Sequence, residues 1–160
     1  MAKILKRDHI KKEIAKIKKQ DKTIVFANGC FDVIHVGHIR YLRGAKAEGD
    51  VLILGINSNK SIQKLKGKNR PVISEKDRTY ILSSFEMVDY ITIFGEHTAE
   101  TLLKLIKPDV HAKGTDYTAE NVPEKHLLGK YIKRIAIVGD KKTHSTKYVI
   151  QDIKNKRQIS

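Results

Sequence analysis

The chain predicts an α/β fold built on a doubly wound, five-stranded parallel sheet, and two observations carry that expectation. Five short apolar runs recur: TIVFA at 23–27, VLILGIN at 51–57, YITIF at 90–94, DVHA at 109–112 and RIAIV at 134–138. Their apolar character is continuous rather than alternating, as in strands covered on both faces. Segments of helical periodicity lie between them, and strands that alternate with helices pair in parallel.

The elements can be justified in order. The opening stretch, 1–20, sets Ile10, Ile14 and Ile17 on one helical face with lysines between, the pattern of a surface helix packed on a domain edge. Its apolar face is too narrow, and too poor in aromatics, for a membrane-surface helix. The rest, 21–160, reads as a single domain with no internal repeat or linker. After the first strand, 38–48 carries Ile39, Leu42 and Ala45 on one face, and Gly49 follows where a C-terminal cap is expected. Ser74 is placed to cap a helix holding Ile81, Leu82 and Phe85. Thr98 is placed to cap another, holding Leu102, Leu103 and Ile106, with Pro108 just past its end. A last helix starts near Ser145 and carries Val149, Ile150 and Ile153.

Composition limits the function classes. The chain has 160 residues, enough for one packed core. No run approaches the roughly 18 apolar residues of a membrane span. Charges interrupt the first 20 residues, which therefore do not read as a secretory leader, and Asp8 and Glu13 argue against a transit peptide. Cys30 is the only cysteine, so an internal disulfide is excluded and a reducing, cytoplasmic setting is expected. The net charge of +14 attracts nucleic acid, acidic membrane and phosphorylated metabolites alike, so charge alone selects none of them.

In doubly wound sheets ligands bind beyond the carboxyl ends of the strands. The loops after Ala27, Asn57, Phe94, Ala112 and Val138 are therefore the places to search. The first holds Asn28, Gly29, Cys30, Phe31 and Asp32 and ends in His35-Val36-Gly37-His38 at the start of a helix. Unpaired N–H groups and the dipole at a helix N-terminus suit phosphate. Gly37 allows close approach of a ligand. His35 and His38 are candidate donors to phosphoryl oxygens in the transition state. No companion cluster supplies the further ligands that zinc requires. The glycine pattern is neither a Walker loop nor a dinucleotide fingerprint. A second, basic cluster spans 64–71, and Arg78 follows at a helix start, where a cation opposes the dipole and calls for an anion nearby. Lys64 and Lys68 read as solvated charge; the segment as a whole reads as a flexible loop able to close over a triphosphate. A third cluster is Lys113-Gly114-Thr115-Asp116-Tyr117, in which Asp116 is either a turn residue or a group that positions a metal, a nucleotide hydroxyl or a substrate. The fourth, 141–147, leads through Ser145 and Thr146 into the last helix, as an N-cap or a phosphate cradle. Each loop is a weak signal, and their convergence on one sheet edge is the strong one.

These residues carry a resemblance. His35-Val36-Gly37-His38 matches the HxGH signature of the nucleotidyltransferase superfamily that also includes class I aminoacyl-tRNA synthetases, for which this chain is too short. NGCFDVIHVGHIRYL at 28–42, LKGKNRPV at 65–72, Arg78, VDY at 88–90 and KGTDY at 113–117 resemble the D-glycero-β-D-manno-heptose 1-phosphate adenylyltransferases over 23–153. One departure is Lys147, which stands where that family has a second threonine after Ser145-Thr146. The resemblance implies a Rossmann-like sheet of order 3-2-1-4-5, a homodimer, and transfer of AMP from ATP to a sugar 1-phosphate with Mg²⁺ on the triphosphate. It implies catalytic roles for His35, His38, Lys66 and Arg78. It implies nucleotide contacts at Gly29, Cys30, Phe31, Gly37, Lys113, Gly114, Ser145 and Thr146, and substrate contacts at Asn28, Asp32 and Asp116. A cytidylyltransferase for glycerol 3-phosphate or another alcohol phosphate shares the superfamily motifs. An FMN adenylyltransferase does too, although no aromatic cluster is evident to stack a flavin. A nucleic-acid binder would explain the charge but not the HxGH loop, and no basic-aromatic RNA-binding motif is present.

Overall fold

The computed structural model describes residues 1–140 and 145–157. In chain order the elements are β1 (Lys3–Ile4), α1 (Arg7–Lys18), β2 (Ile24–Gly29), α2 (Val36–Ala47), β3 (Val51–Asn57), α3 (Asn59–Lys66), α4 (Glu75–Ser83), β4 (Tyr90–Phe94), α5 (Glu100–Ile106), β5 (Val110–Gly114), β6 (Arg134–Val138) and α6 (Thr146–Arg157). The sheet has order β1-β4-β3-β2-β5-β6, and every neighbouring pair is parallel. The five expected strands thus stand in the expected order, and the sixth is an addition. Lys3 and Ile4 pair with Tyr90 and Ile91 at the edge. Two residues are too few to show a pattern in sequence.

Alternate residues of each strand enter opposite cores, as strand geometry requires. Ile24 and Phe26 face the core that holds Ile10, Ile14 and Ile17 of α1 and Leu102, Leu103 and Ile106 of α5. Val25 and Ala27 face the core that holds Leu42 and Ala45 of α2 and Leu82 of α4. The first 20 residues therefore share one core with the sheet. No helix among the described residues is long and apolar enough to cross a membrane.

Four local expectations need correction. Gly49 is not a left-handed cap, for α2 ends at Glu48 in the right-handed region. A Cβ at Gly49 would lie 2.8 Å from Thr23 Cγ2 and 2.9 Å from the Thr23 carbonyl oxygen, so the glycine permits a tight approach to the start of β2. Thr98 does not cap α5, whose N-cap is Ala99 without a side-chain bond. Ile81 and Ile153 stay exposed. The stretch read as a lysine-rich loop begins inside a helix: Ser58 caps α3 by accepting from Ser61 N (3.2 Å), and Lys64 and Lys66 occupy its last turn. Only Ile62 of that short helix is a buried apolar residue, so its periodicity is weak. Ser74 does cap α4, accepting from Asp77 N at 3.2 Å.

β2 is the switch point, with β3 built to one side and β5 to the other. The crevice beyond β2 and β5 is where this topology leaves room for a ligand.

Candidate active site

A cavity of about 920 Å³ opens there. Its centre is the connection from β2 to α2. Phe31 in this loop adopts φ 47°, a left-handed conformation uncommon for a large side chain. Its buried ring folds back against His38 (5.1 Å between centroids) and Tyr41 (6.3 Å). A Cβ at Gly29 would sit 2.9 Å from that ring, which is why glycine precedes it. The packing fixes the direction in which the chain enters α2.

The two histidines are set by the helix start itself. His35 is the N-cap of α2, and its Nδ1 accepts from Gly37 N at 3.1 Å. His38 Nδ1 accepts from His35 N at 3.3 Å, completing a reciprocal cap. The rings stack 3.9 Å apart. A nitrogen that accepts from a backbone N–H carries no proton, so Nε2 is the protonated atom of each ring. Both residues line the cavity and offer it hydrogen-bond donors of one fixed tautomer.

Around this centre the structure gathers most of the expected residues. Asn28, Gly29, Cys30, Phe31, Gly37, Lys66, Lys113, Gly114, Asp116, Ser145 and Thr146 all line the cavity. Ser145 Oγ accepts from Tyr148 N (3.2 Å) and so caps α6, while Thr146 Oγ1 bonds the Val33 carbonyl (3.3 Å). The N-terminus of α6 therefore stands beside the histidine loop, an arrangement suited to phosphate. The remainder of the fourth cluster, 141–144, lies outside the described residues.

Three assignments change. Arg78 does not line the cavity. It is fully buried and donates to the carbonyls of Ile73 (3.1 Å) and Cys30 (2.6 Å) and to Asn59 Oδ1 (3.1 Å). Burial lowers the guanidinium's pKa, and the charge of Asp32 offsets part of that penalty. Its hydrogen-bond partners are neutral oxygens of the protein. Asp32 borders the cavity but is spent: it pairs with Arg70 and accepts from Val72 N (2.7 Å) and Ile73 N (3.0 Å). It braces the loop from β2 against the segment before α4 rather than greeting a substrate. Lys113 is 5 % exposed, and its ammonium is held by Glu124 Oε2 (3.1 Å), Asn28 Oδ1 (3.0 Å) and the Tyr117 ring (5.2 Å). Burial lowers its pKa. In this arrangement it donates to Asn28.

Several cavity residues escaped sequence reasoning: Tyr41, Asn57, His97, Glu124 and Asp140. His97 was within reach, since it follows β4 in a loop the topology rule singles out. Glu124 was not, because it sits in an irregular segment without periodicity. It is 3 % exposed, beside Lys113 and within 3.6 Å of buried His111, whose Nδ1 contacts the Phe26 carbonyl at 3.2 Å. Burial alone would raise the Glu124 carboxyl, but His111 and the Lys113 ammonium bring it down to about 2.

The cavity lies at the switch point, beside a histidine pair that caps the helix after the first long strand, and family membership makes the chain a nucleotidyltransferase. The chain belongs to the cytidylyltransferase-like family, whose model matches residues 26–159. It is 47 % identical over 145 residues to the bifunctional protein HldE of Aliarcobacter butzleri, covering 91 % of this chain and 30 % of that protein. It is 41 % identical over 145 residues to the bifunctional protein HldE of Helicobacter pylori, with the same coverage. The chain thus spans about a third of the length of these relatives. A solved structure, the lipopolysaccharide core biosynthesis protein of Thermoplasma volcanium, superposes with a TM-score of 0.62 at 30 % identity, covering 74 % of this chain and 98 % of that one.

Proposed function

We propose that the protein transfers AMP from ATP to D-glycero-β-D-manno-heptose 1-phosphate, releasing pyrophosphate and forming ADP-heptose for a lipopolysaccharide-type glycan. The observation that supports this most is convergence. The two stretches that carry the specific resemblance, 65–72 and 113–117, border the same cavity as the histidine pair.

The chemistry needs little from the protein beyond placement and charge. The sugar phosphate is already an anionic nucleophile, so a phosphate oxygen attacks the α-phosphorus in line and the pyrophosphate leaves with its electron pair. The Nε2–H donors of His35 and His38 face charge that grows on the α-phosphoryl oxygens. Lys66 and the N-terminus of α6 balance charge on the departing pyrophosphate. Asp116 takes a sugar hydroxyl. Mg²⁺ enters with the triphosphate, whose oxygens suit it. The reading includes a homodimer in the cytoplasm.

Steady-state kinetics with ATP and CTP, each against heptose 1-phosphate and glycerol 3-phosphate, test the substrates. The expected result is pyrophosphate release with ATP and the heptose alone. A preference for CTP with glycerol 3-phosphate would overturn the assignment and leave the nucleotidyltransferase class standing.

A further inference from the structure

Lys113 and Glu124 form a buried ion pair at the floor of the cavity, and no step of the transfer uses either of them directly. Their geometry has a consequence for Asn28. A lysine ammonium has three donors and no acceptor, so the Asn28 atom 3.0 Å from Lys113 Nζ must be the carbonyl oxygen. The carboxamide cannot flip without setting its own NH₂ against a cation. The other end of the group, Nδ2, is thereby fixed as a donor, and among the described residues none accepts from it. Asn28 stands at the end of β2, where the histidine loop begins, and it borders the cavity.

Glu124 explains why Lys113 stays in place. A buried ammonium without a counter-charge would turn toward water. Glu124 Oε2, 3.1 Å away and itself buried, holds it inward. The Tyr117 ring lies 5.2 Å from the ammonium and encloses it further.

We propose that Glu124 and Lys113 are positioning residues that lock the Asn28 carboxamide with its Nδ2 amide presented to a phosphoryl oxygen of the bound nucleotide. The inference rests on the adenylyltransferase reading for its substrate. Its selectivity is that of a one-way donor, welcoming an oxygen that only accepts.

The test is a double-mutant cycle with two readouts: turnover of ATP with heptose 1-phosphate, and the rise in melting temperature caused by ATP alone. The second needs no acceptor substrate. Asn28→Asp keeps the shape and the lysine contact but replaces the donor with a carboxylate. It should lower turnover about tenfold or more and shrink the ATP-induced shift, as expected for a lost hydrogen bond to a charged group. Lys113→Met should do the same by releasing the amide. In the Asn28→Asp background, Lys113→Met and Glu124→Gln should each add less than about twofold, because all three act through one contact. Additive losses would mean that Lys113 touches phosphate itself and would overturn the proposal, as would normal ATP stabilisation of Asn28→Asp. If the wild-type protein ignores heptose 1-phosphate, the parent reading fails, and the ATP-induced shifts still decide this one.

Discussion

Two segments border the cavity close to the end of β2, and they use polar groups in opposite ways. In the β2–α2 connection the two histidines turn one ring nitrogen to the backbone and line the cavity. His35 and His38 accept through Nδ1 and retain Nε2–H. Asp32 of the same connection, and the side chains that meet it from the connection running through α3 to α4, are consumed internally. Asp32 binds Arg70 and two backbone N–H groups, Arg78 bonds three protein acceptors, and Asn59 and Glu75 exchange backbone contacts at 2.7 and 2.8 Å. The second segment holds the first still, since Arg78 ends on the Cys30 carbonyl. Charge near a cavity is therefore not evidence of contact with its contents. What separates the two cases is position: His35 and His38 line the cavity, and Arg78 does not.

The largest effect should come from breaking the brace. Asp32→Ala leaves Arg70 and two backbone donors without their acceptor in a buried site, and such losses cost about 3–5 kcal/mol. Urea unfolding should show the fall in stability. A loss below about 1 kcal/mol would remove the structural role and return Asp32 to the substrate.

His35→Ala and His38→Ala should show the reverse profile. Removing one preorganised donor slows turnover about a hundredfold or more, while the fold survives. His35→Ala should in addition cost about 1 kcal/mol of stability, because His35 caps α2. Turnover and melting measured on the same samples separate the two terms. Near-normal rates in folded variants would end the catalytic assignment.

The comparison also explains what could be read from the sequence. The five longer strands and most helices were evident, because buried parallel strands write continuous apolar runs. The histidine loop was evident because its place, immediately after such a run, has one topological meaning. The strand order came with the resemblance. Arg78 sits outside the cavity for a physical reason that one-dimensional sequence cannot show: its guanidinium is taken up by the Ile73 and Cys30 carbonyls and Asn59 Oδ1. Glu124 gave no signal, since nothing local requires a carboxylate there. Its partner Lys113 is distant in pattern and becomes its neighbour only when β5 is packed.

A third, milder effect should appear in acid. Glu124 titrates near 4.5 when unfolded and near 2 in the fold, so its charged form is favoured by folding. Its contribution is present above pH 4.5 and is lost as the pH falls from 4.5 toward 2. Glu124→Gln should therefore flatten the acid limb of stability against pH in that window. An unchanged limb would show that the Lys113 pair does not form in solution.

The smallest effect tests the boundary between the two segments. Lys66 and Lys68 are both exposed and near in sequence, yet only Lys66 borders the cavity. If position rather than charge matters, Lys66→Ala should lower turnover with ATP by about tenfold, the value of one charge-assisted hydrogen bond to phosphate. Lys68→Ala should change it by less than about twofold, as for a screened surface charge. Raising the salt concentration sharpens the distinction. Screening acts over about 10 Å at 0.1 M and weakens any long-range pull of Lys68 far more than a direct contact by Lys66. The ratio of the two variants' rates should therefore hold or widen with salt. If the two variants converge, the α3 end attracts the triphosphate only through its general field, and the segment between α3 and α4 is a brace along its whole length.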